Sequence, residues 1–139
     1  MNDQQTLEEL EQLLDALRED NTTVPIIVEG DKDIAALRKL EIRGEIIRFN
    51  MGQSVSDFCD SIAQKHQKII LLTDWDWRGG RLGSSIKKHL ENRVDCNITY
   101  RQMFAKRCMC RTVEGIPSWL ETLQRKTKGK EEKIALKRD

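Results

Sequence analysis

The sequence predicts an α/β fold: a mostly parallel sheet of about four strands, flanked by helices on both faces. Three observations predict it. Short runs rich in apolar and β-branched residues recur at 24–28, 45–49, 68–73 and 96–100. Segments with apolar residues at helical spacing separate those runs. Gly-, Asn- or Asp-containing joins punctuate the boundaries. Strands alternating with helices of about ten residues imply crossover connections, which make neighbouring strands parallel.

Each element can be justified in order. Residues 6–19 read as a helix, because Leu7, Leu10, Leu14 and Leu17 share one face and Thr6 with Glu9 makes a capping-box pattern. Asn21-Thr22-Thr23 breaks that pattern. The run Val24-Pro25-Ile26-Ile27-Val28 is apolar throughout, as in a strand covered on both faces. Glu29-Gly30-Asp31 ends it, and Asp31 is placed to cap a helix carrying Ile34, Leu37 and Leu40. Residues 45–49 form the next strand, followed by the turn Asn50-Met51-Gly52. Ser54 with Asp57 opens a helix that runs to Lys65. Residues 68–73 are the most apolar strand. Residues 80–90 form a helix with Leu82, Ile86 and Leu90 inward, and 96–100 reads as the fourth strand. The last helix covers 117–123, with Pro117 at an early position where its missing N–H does no harm. The expected organisation is an amphipathic helix within 1–23 packed on a domain at 24–124, then a basic tail at 125–139.

Bulk properties narrow the function classes. The chain has 139 residues and a formal net charge of +1, so net charge does not point to a nucleic-acid or membrane partner. Its distribution is more informative: residues 125–139 hold seven Lys/Arg against three Asp/Glu. That tail either attracts phosphates or is a solvated terminus. No run of about 18 apolar residues predicts a membrane span. The first residues lack a basic-then-apolar signal pattern, so a cytoplasmic location is expected. The thiols Cys59, Cys96, Cys108 and Cys110 should then be reduced, and they contain no CxxC pair for zinc.

The chemistry concentrates in TDWDWRGG, residues 73–80. In open α/β sheets, sites form beyond the carboxyl ends of the strands. Glu29 ends the first strand, and Asp74 and Asp76 end the third. Residues two apart in an extended chain point the same way, so both aspartates can share a face while Trp75 points to the other. If the first and third strands are neighbours, three carboxylates converge at one rim. Like charges that close raise one another's pKa or demand a counter-ion, and a hard divalent cation such as Mg²⁺ answers that demand with oxygen ligands. Taken singly, Glu-Gly-Asp is a strand end and helix cap, and a DxD is a common loop sequence. Their joint placement after two buried strands is the stronger sign.

The residues Val28-Glu29-Gly30-Asp31-Lys32-Asp33, followed by Asp74-Trp75-Asp76-Trp77-Arg78-Gly79, resemble the Toprim domain. That Rossmann-like domain is shared by topoisomerases, bacterial primases, OLD-family nucleases, RecR-type repair proteins and the ribosomal-RNA maturase RNase M5. The resemblance spans about residues 24–115. It is nearest to small stand-alone Toprim proteins of archaea and more distant to RNase M5. It implies that Glu29 is a general acid or base near the scissile phosphate, and that Asp74 and Asp76, with Glu29, hold Mg²⁺ or Mn²⁺. It implies that Gly30 lets the chain turn tightly and that Gly52 approaches the same rim. Trp75 departs from the pattern, where many relatives carry a small residue or proline. The segment Val113-Glu114-Gly115 is similar to a late segment of RNase M5-like proteins, which would bring Glu114 near the site.

Other residues carry two readings each. Arg78 and Arg81 flank Gly79-Gly80 at a helix start, where phosphate binds well, and Lys32 follows the Glu-Gly turn. All three are phosphate contacts or ordinary surface charges. Asp33 either assists the metal through water or is an exposed helix residue. Trp75 is read as core, Trp119 as packing, and Trp77 as either a base-stacking or a covering residue. Arg101, Lys106, Arg107 and Arg111 either track a nucleic-acid backbone or lie in a solvated loop. Three functions follow: a Mg²⁺-dependent nuclease acting on RNA or DNA, a non-catalytic nucleic-acid-binding module of a larger protein assembly, or a nucleotide or phosphoester hydrolase. No membrane partner is expected.

Overall fold

A computed structural model describes residues 2–49 and 51–138. Six α-helices surround one four-stranded sheet among these residues. The elements run α1 (Asp3–Asn21), β1 (Ile26–Val28), α2 (Asp31–Lys39), β2 (Ile46–Arg48), α3 (Val55–Lys65), β3 (Lys68–Leu71), α4 (Trp77–Leu90), β4 (Asp95–Asn97), α5 (Thr99–Arg107), a 3-10 turn (Val113–Gly115) and α6 (Ile116–Arg138). The strand order is β2-β1-β3-β4 and every pairing is parallel. The α/β class expected from the alternation is therefore the one observed, and β1 and β3 are neighbours, with Ile26 opposite Ile70.

The period-two rule divides the core. Ile26, Val28, Ile70 and Leu72 face a cluster built from α1, α2, α5 and α6, including Leu14, Leu37, Phe104 and Leu123. Ile27, Ile69 and Leu71 face the opposite cluster, with Phe58 and Ile62 of α3 and Ile86 and Leu90 of α4. Both faces of β1 and β3 are covered, which is why those strands read as unbroken apolar runs. Each such side chain contributes about 2 kcal/mol by leaving water.

Local boundaries differ from expectation at several points. Helix α1 starts three residues earlier than the capping-box reading, because Asn2 Oδ1 accepts from Gln5 N–H at 2.8 Å. It also runs through Asn21, which is buried. The Asn21 amide donates to the Val24 and Glu45 carbonyls, both at 3.0 Å, and its oxygen accepts from Gly44 N–H at 2.8 Å. What reads as a helix breaker is thus a clamp joining α1 to the starts of β1 and β2. Asp31 is the first residue of α2 rather than its cap; Gly30 holds that position. Strand β4 stops at Asn97, whose side chain accepts from Thr99 N–H at 2.8 Å, and α5 follows at once. Tyr100 is therefore helical, with its hydroxyl donating to the Asp20 carboxylate. The basic residues around Met103-Phe104 lie on this helix and its exit, not within one loop. Helix α6 runs on from the expected 117–123 to Arg138, carrying most of the basic segment in helical form, with Leu123 and Thr127 buried. Asp139 lies outside the described residues.

Candidate metal centre

The parallel sheet brings the carboxyl ends of β1 and β3 side by side. Glu29 leaves β1, and its Oε2 accepts from the Asp74 backbone N–H at 2.7 Å. Two residues 45 apart in sequence thus meet at the rim. Asp74 is half-buried, and its Oδ1 accepts from Val113 N–H at 2.8 Å. Both carboxylates are oriented by backbone amides, which cannot swing away as side-chain partners can.

Asp33 joins them from α2. It is 7% exposed, so it is not the exposed helix residue of the alternative reading. Its Oδ2 accepts from Gly30 N–H at 3.1 Å, satisfying the free amide at the start of α2. Burial raises its pKa, the charge of Asp74 raises it further, and the Gly30 and Glu29 amides oppose the shift. Asp74 is pushed up to about 6, first by burial, then by the neighbouring Glu29 and Asp76; the Val113 N–H works the other way.

Asp76 stands apart from this arrangement. Its Oδ1 accepts from Gly79 N–H at 2.7 Å and caps α4. It stays within electrostatic range of Asp74. Among the described residues no three His, Cys, Asp or Glu side chains are grouped to enclose a metal ion. What the structure shows at this rim is a Glu29–Asp74 pair joined through a backbone amide, with the charges of both Glu29 and Asp76 acting on Asp74. The pair still suits a hard divalent ion. Its donors are all oxygens, they are negatively charged and partly desolvated, and Mg²⁺ is commonly held by one or two carboxylates with water completing the shell.

Gly30 does not play the turn role expected of it. Gly30 has φ −157°, an extended conformation open to any residue, and a Cβ there would meet nothing within 4 Å. It needs no tight turn. Gly79 is required by proximity instead: a Cβ would fall 2.0 Å from the Asp74 carbonyl oxygen. A Cβ at Gly83 would fall 2.6 Å from Thr73 Oγ1. Helix α4 thus packs against the DWD segment backbone to backbone. Gly52 lies exposed in the turn after β2, on the same edge of the sheet.

Arg101 of α5 braces the segment from the other side. Its Nη2 donates to the Asp74 carbonyl at 2.7 Å and its Nε to the Thr73 carbonyl at 3.0 Å. The sequence marks Arg101 only as one of several basic residues, so this role was missed. Trp75 is core-packed as expected, stacked on Phe104 with centroids 6.2 Å apart. Its indole N–H donates to the Cys110 carbonyl at 2.6 Å, and its backbone N–H donates to the Arg111 carbonyl at 2.9 Å. Residues 110–113 therefore hold both Trp75 and Asp74.

The expected phosphate contacts Lys32, Arg78 and Arg81 are all exposed. None of the three has an ion-pair partner among the described residues. Lys32 and Glu114 line one cleft between α2 and the start of α6, and Glu114 lies within electrostatic range of Asp33.

The pattern of the Toprim domain matches residues 24–106. The chain belongs to the Toprim domain family. A UPF0292 protein of Thermoplasma volcanium is 40% identical over 105 residues, covering 75% of this chain and 88% of its own. A UPF0292 protein of Methanosarcina barkeri is 29% identical over 125 residues, covering 87% of each chain. A solved structure of a protein from Aquifex aeolicus has a TM-score of 0.61 at 28% identity, covering 70% of this chain and 89% of that one. Toprim membership supports a metal-binding role in nucleic-acid processing. No helix among the described residues is long and apolar enough to cross a membrane.

Proposed function

We propose that this Toprim protein binds Mg²⁺ or Mn²⁺ together with a nucleic-acid phosphate and cleaves the phosphodiester. The observation that carries the reading is the Glu29–Asp74 pair, locked in place by the Asp74 and Val113 amides. A divalent ion would be held by Asp74 and Glu29, with Asp76 at its edge, and would supply neutralisation of charge on the phosphate.

The chain's own residues do the rest. Glu29, fixed through Oε2, accepts or returns a proton at the reacting oxygen. Asp33 keeps the Glu29-Gly30 backbone in place through the Gly30 amide. Arg78, Arg81 and Lys32 attract the polyanion and orient its phosphates. Arg101 instead holds the Thr73-Asp74 backbone through Nε and Nη2.

The test is a cleavage assay on RNA and DNA, single-stranded and duplex, with Mg²⁺, with Mn²⁺ and with chelator. Divalent-dependent cleavage lost in both Glu29→Gln and Asp74→Asn is expected. Robust cleavage that survives both substitutions would show that the chemistry resides elsewhere.

A further inference from the structure

Two indoles stand two residues apart in the DWDW segment, and the fold treats them oppositely. Trp75 is absorbed into the core with its N–H satisfied. Trp77 is 73% exposed, at the first helical position of α4, next to the Asp76 cap. An exposed indole keeps an apolar plane in water, a cost that persists unless something covers it.

Its surroundings say what that is. The Arg81 guanidinium sits 4.9 Å from the Trp77 ring centroid, one helical turn on. That contact steadies the ring and leaves its other face open. Arg78 lies between them in sequence, exposed and without an acidic partner among the described residues. A flat π surface flanked by uncompensated cations is complementary to a planar base on an anionic backbone. Bases inside a duplex already have both faces stacked, so along a strand it is unpaired bases that offer one.

We propose that Trp77 is a stacking platform for a base of an unpaired polynucleotide strand, held beside the Glu29–Asp74 pair by Arg78 and Arg81. This inference rests on the proposed function, since it names the form of nucleic acid that the site takes.

The experiment measures binding by fluorescence anisotropy, in chelator so that nothing is cleaved. The probes are unpaired ribo- and deoxyribo-oligonucleotides, a blunt duplex, and an abasic strand of equal phosphate count. Trp77→Ala should weaken binding of at least one unpaired strand about tenfold, the effect expected for one stacked base. Duplex and abasic binding should change less than about twofold, and Trp77→Phe should retain most of the affinity. Arg78→Ala should weaken all probes alike, as a phosphate contact does. Equal losses for strand, duplex and abasic probe in Trp77→Ala, or no loss at all, would overturn the inference and leave the proposed function standing. Wild-type protein that binds none of the probes at low salt would overturn the inference, while divalent-dependent cleavage in the separate assay would still uphold the proposed function. Trp77 is exposed, so the variants should fold; an unchanged circular dichroism melt confirms that the comparison is of binding.

Discussion

The carboxylates and the cations around this rim are held in opposite ways. Glu29, Asp33, Asp74 and Asp76 each accept a backbone N–H, from Asp74, Gly30, Val113 and Gly79 respectively. Arg78 and Lys32 reach into solvent with no such tether, and Arg81 touches only an exposed indole. The acids form a rigid shelf at a cost in repulsion; the cations form an adaptable fringe. That division suits a site that must fix a small hard ion in one place while accepting a polymer whose shape varies.

The comparison breaks most readily at the crossing of α4 with the DWD segment. Gly79→Ala would drive a methyl into the Asp74 carbonyl, and backbone on both sides must shift. We expect a loss of about 3 kcal/mol, which overpacking of this kind costs and which better helix propensity only partly offsets. Urea unfolding reads it, and an unchanged midpoint would show that α4 is not pinned to the shelf.

A smaller effect, of opposite sign, sharpens the account of repulsion. Asp74→Asn keeps an acceptor for Val113 and can donate to Glu29, as a protonated Asp74 does. In the metal-free protein the folded pKa of Asp74 is raised to about 6 from 3.8. Below the lower value the group is neutral folded and unfolded, and no penalty exists. As pH rises from about 4 through about 6, the unfolded chain releases the proton first, so wild-type stability falls. The variant should therefore become the more stable protein across that window, by on the order of 1 kcal/mol near neutrality after solvent screening. Thermal melts from pH 4 to pH 7.5 in chelator follow the gap. Added Mn²⁺ should raise the wild-type midpoint and leave the variant's unmoved. A wild type that stays ahead of the variant at every pH in chelator would contradict the repulsion.

The fringe should be the quietest of the three. Arg78→Ala should change stability by less than about 0.5 kcal/mol, as exposed charges do, while flattening the salt dependence of nucleic-acid binding by about one phosphate contact. A clear drop in melting temperature would mean that Arg78 belongs to the shelf.

Much of this was legible in the sequence. The apolar runs at 26–28 and 69–72 are buried on both faces, so their composition alone exposes them, and with β1 and β3 neighbours the parallel order brings Glu29 and Asp74 to one rim. The failures have physical causes. Asp33 looks like any acidic residue in a first helical turn, and only the position of β3 and the 3-10 turn buries it. Ile98 and Thr99 are β-branched and prolong the look of a strand that Asn97 has already ended. Val113 contributes an amide, which every residue but proline carries, so no residue type could announce it. Asp76 reads from the sequence only as a metal ligand, and its second role, capping α4 through the free amide of Gly79, has no signal of its own in the DxD spacing.

The hydrogen bond from Val113 to Asp74 has a consequence for how such a chain can change over time. The recognisable domain stops at residue 106, yet one acid of the pair is anchored seven residues later. Because the anchor is an amide, the site places little demand on which residue stands there. It places a strict demand on how many residues separate α5 from that point. Substitution at the exposed Met109 and Arg111 should be tolerated, whereas a single insertion or deletion would slide a different amide, or none, beneath Asp74. At those two positions the stretch will read as variable in letters, while its length stays invariant.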